Sequence, residues 1–390
     1  MVVKVSFRSP VKCFFGLLIS IILLTKLVER ERSPPFLQKV RDIIKGKTII
    51  HEQSSKGKNI QNHGRAPIPI ILLTYMRSGS SFLGSVLQAN PDVYYLFEPL
   101  HAVQFAVRSK ETFTFLDGSY RKYDNFLDVA KLTVAGLATC NMETIPIKMW
   151  FNGFLMFSKK AKGMRYCVSK AKTLAESHAC INVTKLACLN SSHSALKIIR
   201  IPMDLLGPLM TSIPNLRIIH LIRDPRATVL SQQAYGVIPA ARFRQHVTAF
   251  CNRVYRDIVT AERFMTTFPD RMLRIFYEDL AKDPKGYAKV IYNFTEMTYT
   301  ARTESEIHSM TSGDVPENCG QLCTRKSNST AQAEVWRKHA SLESVNTVDD
   351  VCQPLYTKLG YKHIESERML RDITVPLRQA VTSFDDFRYA

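Results

Sequence analysis

From Ile68 to Tyr75 the chain is apolar and β-favouring, with prolines only at the entrance of the run, a pattern that predicts a buried strand. Met76-Arg77-Ser78-Gly79-Ser80-Ser81 interrupts it, and Phe82, Leu83, Val86 and Leu87 then recur at helical spacing until Asn90-Pro91. The same alternation continues downstream. Asp92–Phe97 predicts a second strand, placing Glu98 at the C-terminal end of an internal strand. Phe126–Ala138 predicts a helix, and Ala195–Ile201 a short strand or helix edge carrying Lys197 and Arg200. Pro202–Met210 reads as helix and Leu216–Ile222 as a strongly apolar strand, followed by Asp224-Pro225 as a helix start. One long helix is expected over Ala241–Thr266, a strand over Met272–Phe276, and helices over Pro284–Phe294, Glu334–His339 and Val351–Leu359. Strands alternating with helices predict an α/β fold, a parallel sheet flanked by helices. No internal repeat is present.

The N-terminus follows another pattern. Cys13–Thr25 is an unbroken apolar run behind Lys4, Arg8 and Lys12, with no small-residue cleavage site after it. Positive charge on the N-terminal flank orients such a run as an uncleaved type II signal anchor. The expected organisation is a cytosolic tail (1–12), a single transmembrane helix (13–28), a polar, basic stem (29–66), a lumenal domain (67–364) and a loosely held C-terminal tail (365–390).

Composition adds compartment and charge. Eight of the nine cysteines lie beyond the anchor, an even set that suits disulfides, with connectivity open. Sequons at Asn182, Asn190, Asn293 and Asn328 agree with a lumenal body. The net charge of +19 predicts acidic partners. No zinc finger, aromatic RNA-binding motif or basic heptad accompanies it, so nucleic acid is not the expected partner.

A strand, a tight Ser/Gly turn and a helix form an anion cradle, in which the helix N-terminus supplies amides and Arg77 adds charge. Taken alone, the turn also fits an ordinary N-capped helix start. It lacks the lysine and the spacing of a Walker loop.

Three segments taken in order, RSGSSF at Arg77–Phe82, FEP at Phe97–Pro99 and LIRDPRATVLSQ at Leu221–Gln232, resemble the Golgi carbohydrate sulfotransferases. The nearest resemblance is to those that sulfate the 6-hydroxyl of galactose, N-acetylgalactosamine or N-acetylglucosamine. Lys197-x-x-Arg200, Tyr277-Glu278-Asp279-Leu280, Trp336-Arg337 and Leu359-Gly360-Tyr361 support it. The resemblance implies the P-loop-like sulfotransferase fold, Golgi residence, 3′-phosphoadenosine 5′-phosphosulfate as donor and a glycan or glycosaminoglycan as acceptor. It implies a 5′-phosphosulfate loop at Met76, Arg77, Ser78, Gly79, Ser80, Ser81 and Phe82. It also implies a 3′-phosphate site over Arg223, Asp224, Pro225, Arg226 and Ser231, with Arg223 and Ser231 in contact.

Sulfuryl transfer needs an acceptor hydroxyl in line with sulfur and neutralisation of the leaving phosphate, and in principle no metal. Arg77 is the expected leaving-group stabiliser and Glu98 the expected general base, with His101 a secondary candidate. Lys197 and Arg200 are expected either at the substrates or as ion-pair partners of Glu278 or Asp279. Arg325 and Ser327 fall where the family places a late loop over the nucleotide. A membrane-anchored glycan-binding protein without transfer activity is the alternative. Association of copies through stem or anchor is the further partner expectation.

Overall fold

The computed structural model describes residues 66–312 and 324–379. The anchor, most of the stem, Cys319 and Cys323 lie outside the described residues. Among those described, no helix is long and apolar enough to cross a membrane.

Five parallel strands form the central sheet: β1 (Ile68–Leu73), β2 (Val93–Phe97), β5 (His193–Ile198), β6 (Arg217–Ile222) and β7 (Met272–Phe276), in the order β2-β5-β1-β6-β7. A two-residue antiparallel pair, β3 (Phe113–Thr114) and β4 (Tyr120–Arg121), stands apart. Every residue of β1 is buried, which explains its unbroken apolar run: a central parallel strand is covered on both faces. Asp92–Phe97 is expected as an internal strand. Instead β2 is the edge strand, because β5, arriving only after an insertion of some ninety residues, pairs with both β1 and β2.

Helices cover both faces. The first, α1 (Ser80–Leu87), buries Phe82, Leu83, Val86 and Leu87 with Ile70, Leu72 and Tyr95. On the other face, α2 (Pro225–Ala234), α3 (Phe243–Thr267) and α4 (Leu342–Leu359) supply Val229, Val247, Val254, Val348 and Leu355 to a second cluster. Helix α4 starts nine residues earlier than the sequence pattern suggests. Ser341 caps it by accepting from the Ser344 amide, and Pro354 sits inside it.

Among the described residues three disulfides tie this frame: Cys140–Cys188 and Cys167–Cys180 within the insertion, and Cys251–Cys352 between α3 and α4. The segment expected as a loose tail is packed through residue 379. Ile364, Leu370 and Leu377 join Trp336 in a third cluster, and buried Arg337 donates to the carbonyls of Met369, Leu370, Asp372 and Val375. A single guanidinium, paired with Glu334 and donating to four carbonyls, fixes the path of that segment.

Candidate active site

All the residues of interest leave the sheet at the C-terminal ends of its strands, where open α/β sheets hold ligands. They surround a cavity of about 400 Å³ lined by Met76, Arg77, Gly79–Phe82, Glu98, Lys197, Arg223, Tyr235 and Tyr277, and by Met310, Thr324, Lys326, Ser329 and Gln332.

The loop after β1 is shaped by two left-handed residues, Arg77 (φ 67°) and Gly79 (φ 86°). Glycine is required twice over at 79. A Cβ there would lie 2.1 Å from Cδ2 of Tyr277, whose ring covers the loop. The Ser78 hydroxyl, expected at the donor, is buried. It donates to the Tyr75 carbonyl (2.6 Å) and hydrogen bonds the Thr74 hydroxyl, so it staples the loop rather than lining the cavity. No side chain caps α1, and while the Phe82 amide already donates to the Gly79 carbonyl (3.0 Å), the Ser80 and Ser81 amides are left beside the cavity.

Arg77 is held from α2. Its Nε donates to Ser231 Oγ (3.1 Å), and its guanidinium stacks 3.8 Å from the centre of the Tyr235 ring. Arg223 Nη1 donates to the Arg77 carbonyl (2.9 Å), and its guanidinium lies 4.8 Å from the centre of the Tyr277 ring. Gln232 Nε2 donates to the Met76 carbonyl (2.8 Å). The two motifs expected at opposite ends of a nucleotide are thus in direct contact. Tyr235 is a member that the sequence reading missed. An aromatic four residues beyond Ser231, one helical turn on, was the available signal.

Asp224, Pro225 and Arg226, expected within the 3′-phosphate site, do not line the cavity. Asp224 caps α2 through the Arg226 amide (2.8 Å) and pairs with the Arg226 guanidinium. Arg226 is fully buried, between Asp224, Asp349 and the Lys362 carbonyl. A charge this deep must spend its donors on fixed partners, which makes it part of the frame. Below it, Glu278 accepts from the Asp224 amide (2.9 Å) and from Tyr361 Oη (3.3 Å). Burial and the neighbouring Asp224 push its pKa up to about 7.

Glu98 sits in a left-handed conformation (φ 46°) that its contacts enforce. Its amide donates to the Lys197 carbonyl (3.1 Å), and its carbonyl accepts from Asn152 Nδ2 (2.7 Å). One carboxylate oxygen accepts from Lys197 Nζ (2.7 Å), the other from Arg200 Nη2 (2.9 Å). Lys197 and Arg200 are therefore the partners of Glu98, not of Glu278 or Asp279. The Lys197 ammonium also lies 3.6 Å from the centre of the Phe97 ring, and burial, partly offset by Glu98, lowers its pKa. His101 is not part of the cavity lining. Its ring meets Phe154 edge-on at 4.7 Å, and partial burial and Arg200 lower its pKa. Of the late loop, Lys326 reaches the cavity, whereas Arg325 and Ser327 do not line it. Among the described residues no group of three His, Cys, Asp or Glu side chains is placed to hold a metal ion.

Comparison with known proteins adds a lineage to this geometry. Carbohydrate sulfotransferase 5 of Homo sapiens is 27% identical over 361 residues, covering 83% of this chain and 85% of its own. Carbohydrate sulfotransferase 1 of Danio rerio is 26% identical over 352 residues, covering 79% and 81%. Carbohydrate sulfotransferase 3 of Tetronarce californica is 25% identical over 366 residues, covering 83% and 79%. The model of the sulfotransferase family matches residues 69–301, more than half of the chain and every strand of the central sheet, and this protein belongs to that family.

Proposed function

We propose that the protein transfers a sulfuryl group from 3′-phosphoadenosine 5′-phosphosulfate to a sugar hydroxyl, the 6-OH of N-acetylglucosamine, galactose or N-acetylgalactosamine, on a glycan chain. The reading is supported above all by one observation. A buried carboxylate, Glu98, faces the same cavity as an uncapped helix start flanked by Arg77 and Arg223. The names of the relatives support a carbohydrate acceptor. The apolar run Cys13–Thr25 behind a basic flank supports a type II Golgi enzyme with its catalytic body in the lumen.

In this mechanism the donor phosphates lie against the first-turn amides of α1, with Arg77 and Arg223 offsetting their charge. The acceptor oxygen attacks sulfur as the bond from sulfur to the phosphate oxygen breaks. The bonding pair leaves on the bisphosphate, and the acceptor proton passes to Glu98. The carboxylate oxygens keep lone pairs beyond those used by Lys197 and Arg200, so the ion pairs orient Glu98 without closing it to a third partner. As Glu98 takes the proton its hold on Lys197 weakens. The ammonium, which already lines the cavity, is then free to turn to the leaving oxygen. The products are a sulfate ester and adenosine 3′,5′-bisphosphate.

The test is transfer of ³⁵S from labelled donor to desulfated keratan sulfate, chondroitin, heparosan and N-acetylglucosamine-terminated oligosaccharides, with Glu98→Gln alongside. Label on one acceptor, lost in the variant while bisphosphate binding persists, is the expected outcome. No label on any acceptor together with no bisphosphate binding overturns the reading in favour of a glycan-binding protein.

A further inference from the structure

The insertion between β2 and β5 carries a charge pattern that the transfer chemistry does not use. Between Glu143 and Glu176 the chain has seven lysine or arginine side chains and no acid. Three of the seven are spoken for: Lys148 pairs with Glu111, Lys159 with Glu306, and Lys160 donates to Ser191 Oγ (2.7 Å). The remaining four, Lys162, Arg165, Lys170 and Lys172, are exposed, and among the described residues none makes an ion pair. They lie on or beside the short helix Met164–Lys170, which the Cys167–Cys180 disulfide fixes to the helix Leu174–Leu189.

This basic strip is joined to the catalytic carboxylate. Arg165 Nη1 lies 3.4 Å from where a Cβ on Gly153 would stand. The residue before Gly153 is Asn152, whose buried amide donates to the Glu98 carbonyl. Phe154, two residues after Asn152, packs on His101 and Phe97. The elements packed around this segment also expose apolar side chains: Phe105 is 62% exposed, Met156 65% and Tyr166 48%. A surface that offers unpaired cations and apolar faces together suits a chain of sugar rings bearing regularly spaced acidic groups. The rings present C–H faces to the apolar side chains, and the acids meet the cations.

We infer that the strip formed by Lys162, Arg165, Lys170 and Lys172, with Phe105 and Met156, binds the part of a polyanionic glycan acceptor that extends away from the reacting sugar. The acceptor is accordingly a polymer already carrying sulfate or uronate groups. The inference rests on reading the cavity as a glycan sulfotransferase site. The strip adjoins the Glu98 wall, whereas the donor motifs at Met76–Phe82 and Arg223 occupy the other side of the cavity. It selects acceptors by length and charge, and contributes nothing to donor binding.

The experiment measures binding of the full-length chain to immobilised chondroitin sulfate, and to carboxyl-reduced, desulfated chondroitin, at rising NaCl. No donor is present, so the result does not depend on turnover. The variant K162E/K170E/K172E is compared with R256E/R263E/R302E, which makes the same change of charge on α3 and the helix Ala301–Thr311. The wild type is expected to bind the charged polymer at least tenfold more tightly than the neutral one. That preference should fall as salt screens it. The strip variant should lose at least tenfold and the control less than twofold, with melting temperature and bisphosphate affinity of both unchanged. Equal losses in the two variants, or no loss in the strip variant, overturn the inference. If the strip-dependent binding holds but the wild type transfers no label to any glycan, the interaction stands and the enzymatic reading falls.

Discussion

The contact between Gly79 and the Tyr277 ring allows the donor loop to be tested by adding a single methyl group. Gly79→Ala meets two separable penalties. The first is conformational: an L-residue at φ 86° costs about 1–2 kcal/mol, whatever surrounds it. The second is steric. The new Cβ would stand 2.1 Å from Cδ2 and 2.3 Å from Cε2 of Tyr277, far inside contact distance. The ring cannot simply swing away, because it is buried with Leu280, Leu273 and Ile275 in the cluster beneath α1. Displacing a packed ring to admit a methyl costs about 1–3 kcal/mol. Gly79→Ala should therefore destabilise the protein by about 2–5 kcal/mol, read as a lower urea midpoint with unchanged slope. It should also weaken adenosine 3′,5′-bisphosphate, since the loop amides move with the ring. In a Tyr277→Ala background only the conformational part remains, about 1–2 kcal/mol, so the two sites should couple by about 1–3 kcal/mol. An equal cost in both backgrounds would refute the packing of the ring on Gly79. A cost below about 0.5 kcal/mol in the wild type would refute the left-handed loop itself.

Three other measurements bear on separate parts of the molecule. Arg77→Ala and Arg223→Ala should each weaken bisphosphate binding by about 1.5–3 kcal/mol in calorimetry, the loss of one charge-assisted contact; normal binding by both would remove the donor site from this cavity. Glu278, with its folded pKa raised to about 7, carries protons that the unfolded chain has released, so stability should fall as pH rises from about 4.5 to about 7. Glu278→Gln keeps the bond from the Asp224 amide, can donate its own amide to Tyr361 Oη where the carboxylate accepted, and carries no charge; it should gain on the wild type by about 3 kcal/mol between pH 4 and pH 8 in thermal melts, and a parallel pH profile would be the contrary result. Arg337→Lys cannot serve four carbonyls with an ammonium, and it should cost about 2–4 kcal/mol and open residues 365–379 to limited proteolysis.

How much of this was legible in the sequence depends on whether the determinant is local. The bounds of Phe126–Ala138, Met272–Phe276 and Pro284–Phe294 agree with the structure to the residue, since periodicity, Asn125 as a cap and Pro284 at a helix start act within a turn or two. Lateral strand order is not local. Nothing in Asp92–Phe97 says that a strand a hundred residues later will lie between it and β1. Motif letters likewise name residues without saying which way they face. Ser78 and Arg226 stand in the expected motifs, yet their side chains go to the loop interior and to Asp224 and Asp349. The packed C-terminal segment was missed because its anchor, Arg337, lies some thirty residues upstream and satisfies backbone carbonyls, which leave no pattern in the sequence they belong to.

The misplaced strand carries the most consequence for mechanism. Across the C-terminal edge of the sheet the order β2-β5-β1-β6-β7 sets out Glu98, Lys197, the Met76–Phe82 loop, Arg223 and Tyr277, one strand end after another. Had β2 lain beside β1, the proposed base would adjoin the donor loop directly. With β5 between them, a buried lysine stands between base and donor, paired to the base at rest and lining the cavity that the donor would enter. On the proposed reading the edge is thereby polarised, with acceptor chemistry at the Glu98 end, beside the basic insertion, and nucleotide chemistry at the Arg223 end. In the proposed reaction a proton arriving on Glu98 loosens Lys197 as negative charge grows on the neighbouring strand's side. In that reaction, strand order would couple deprotonation of the acceptor to stabilisation of the leaving group.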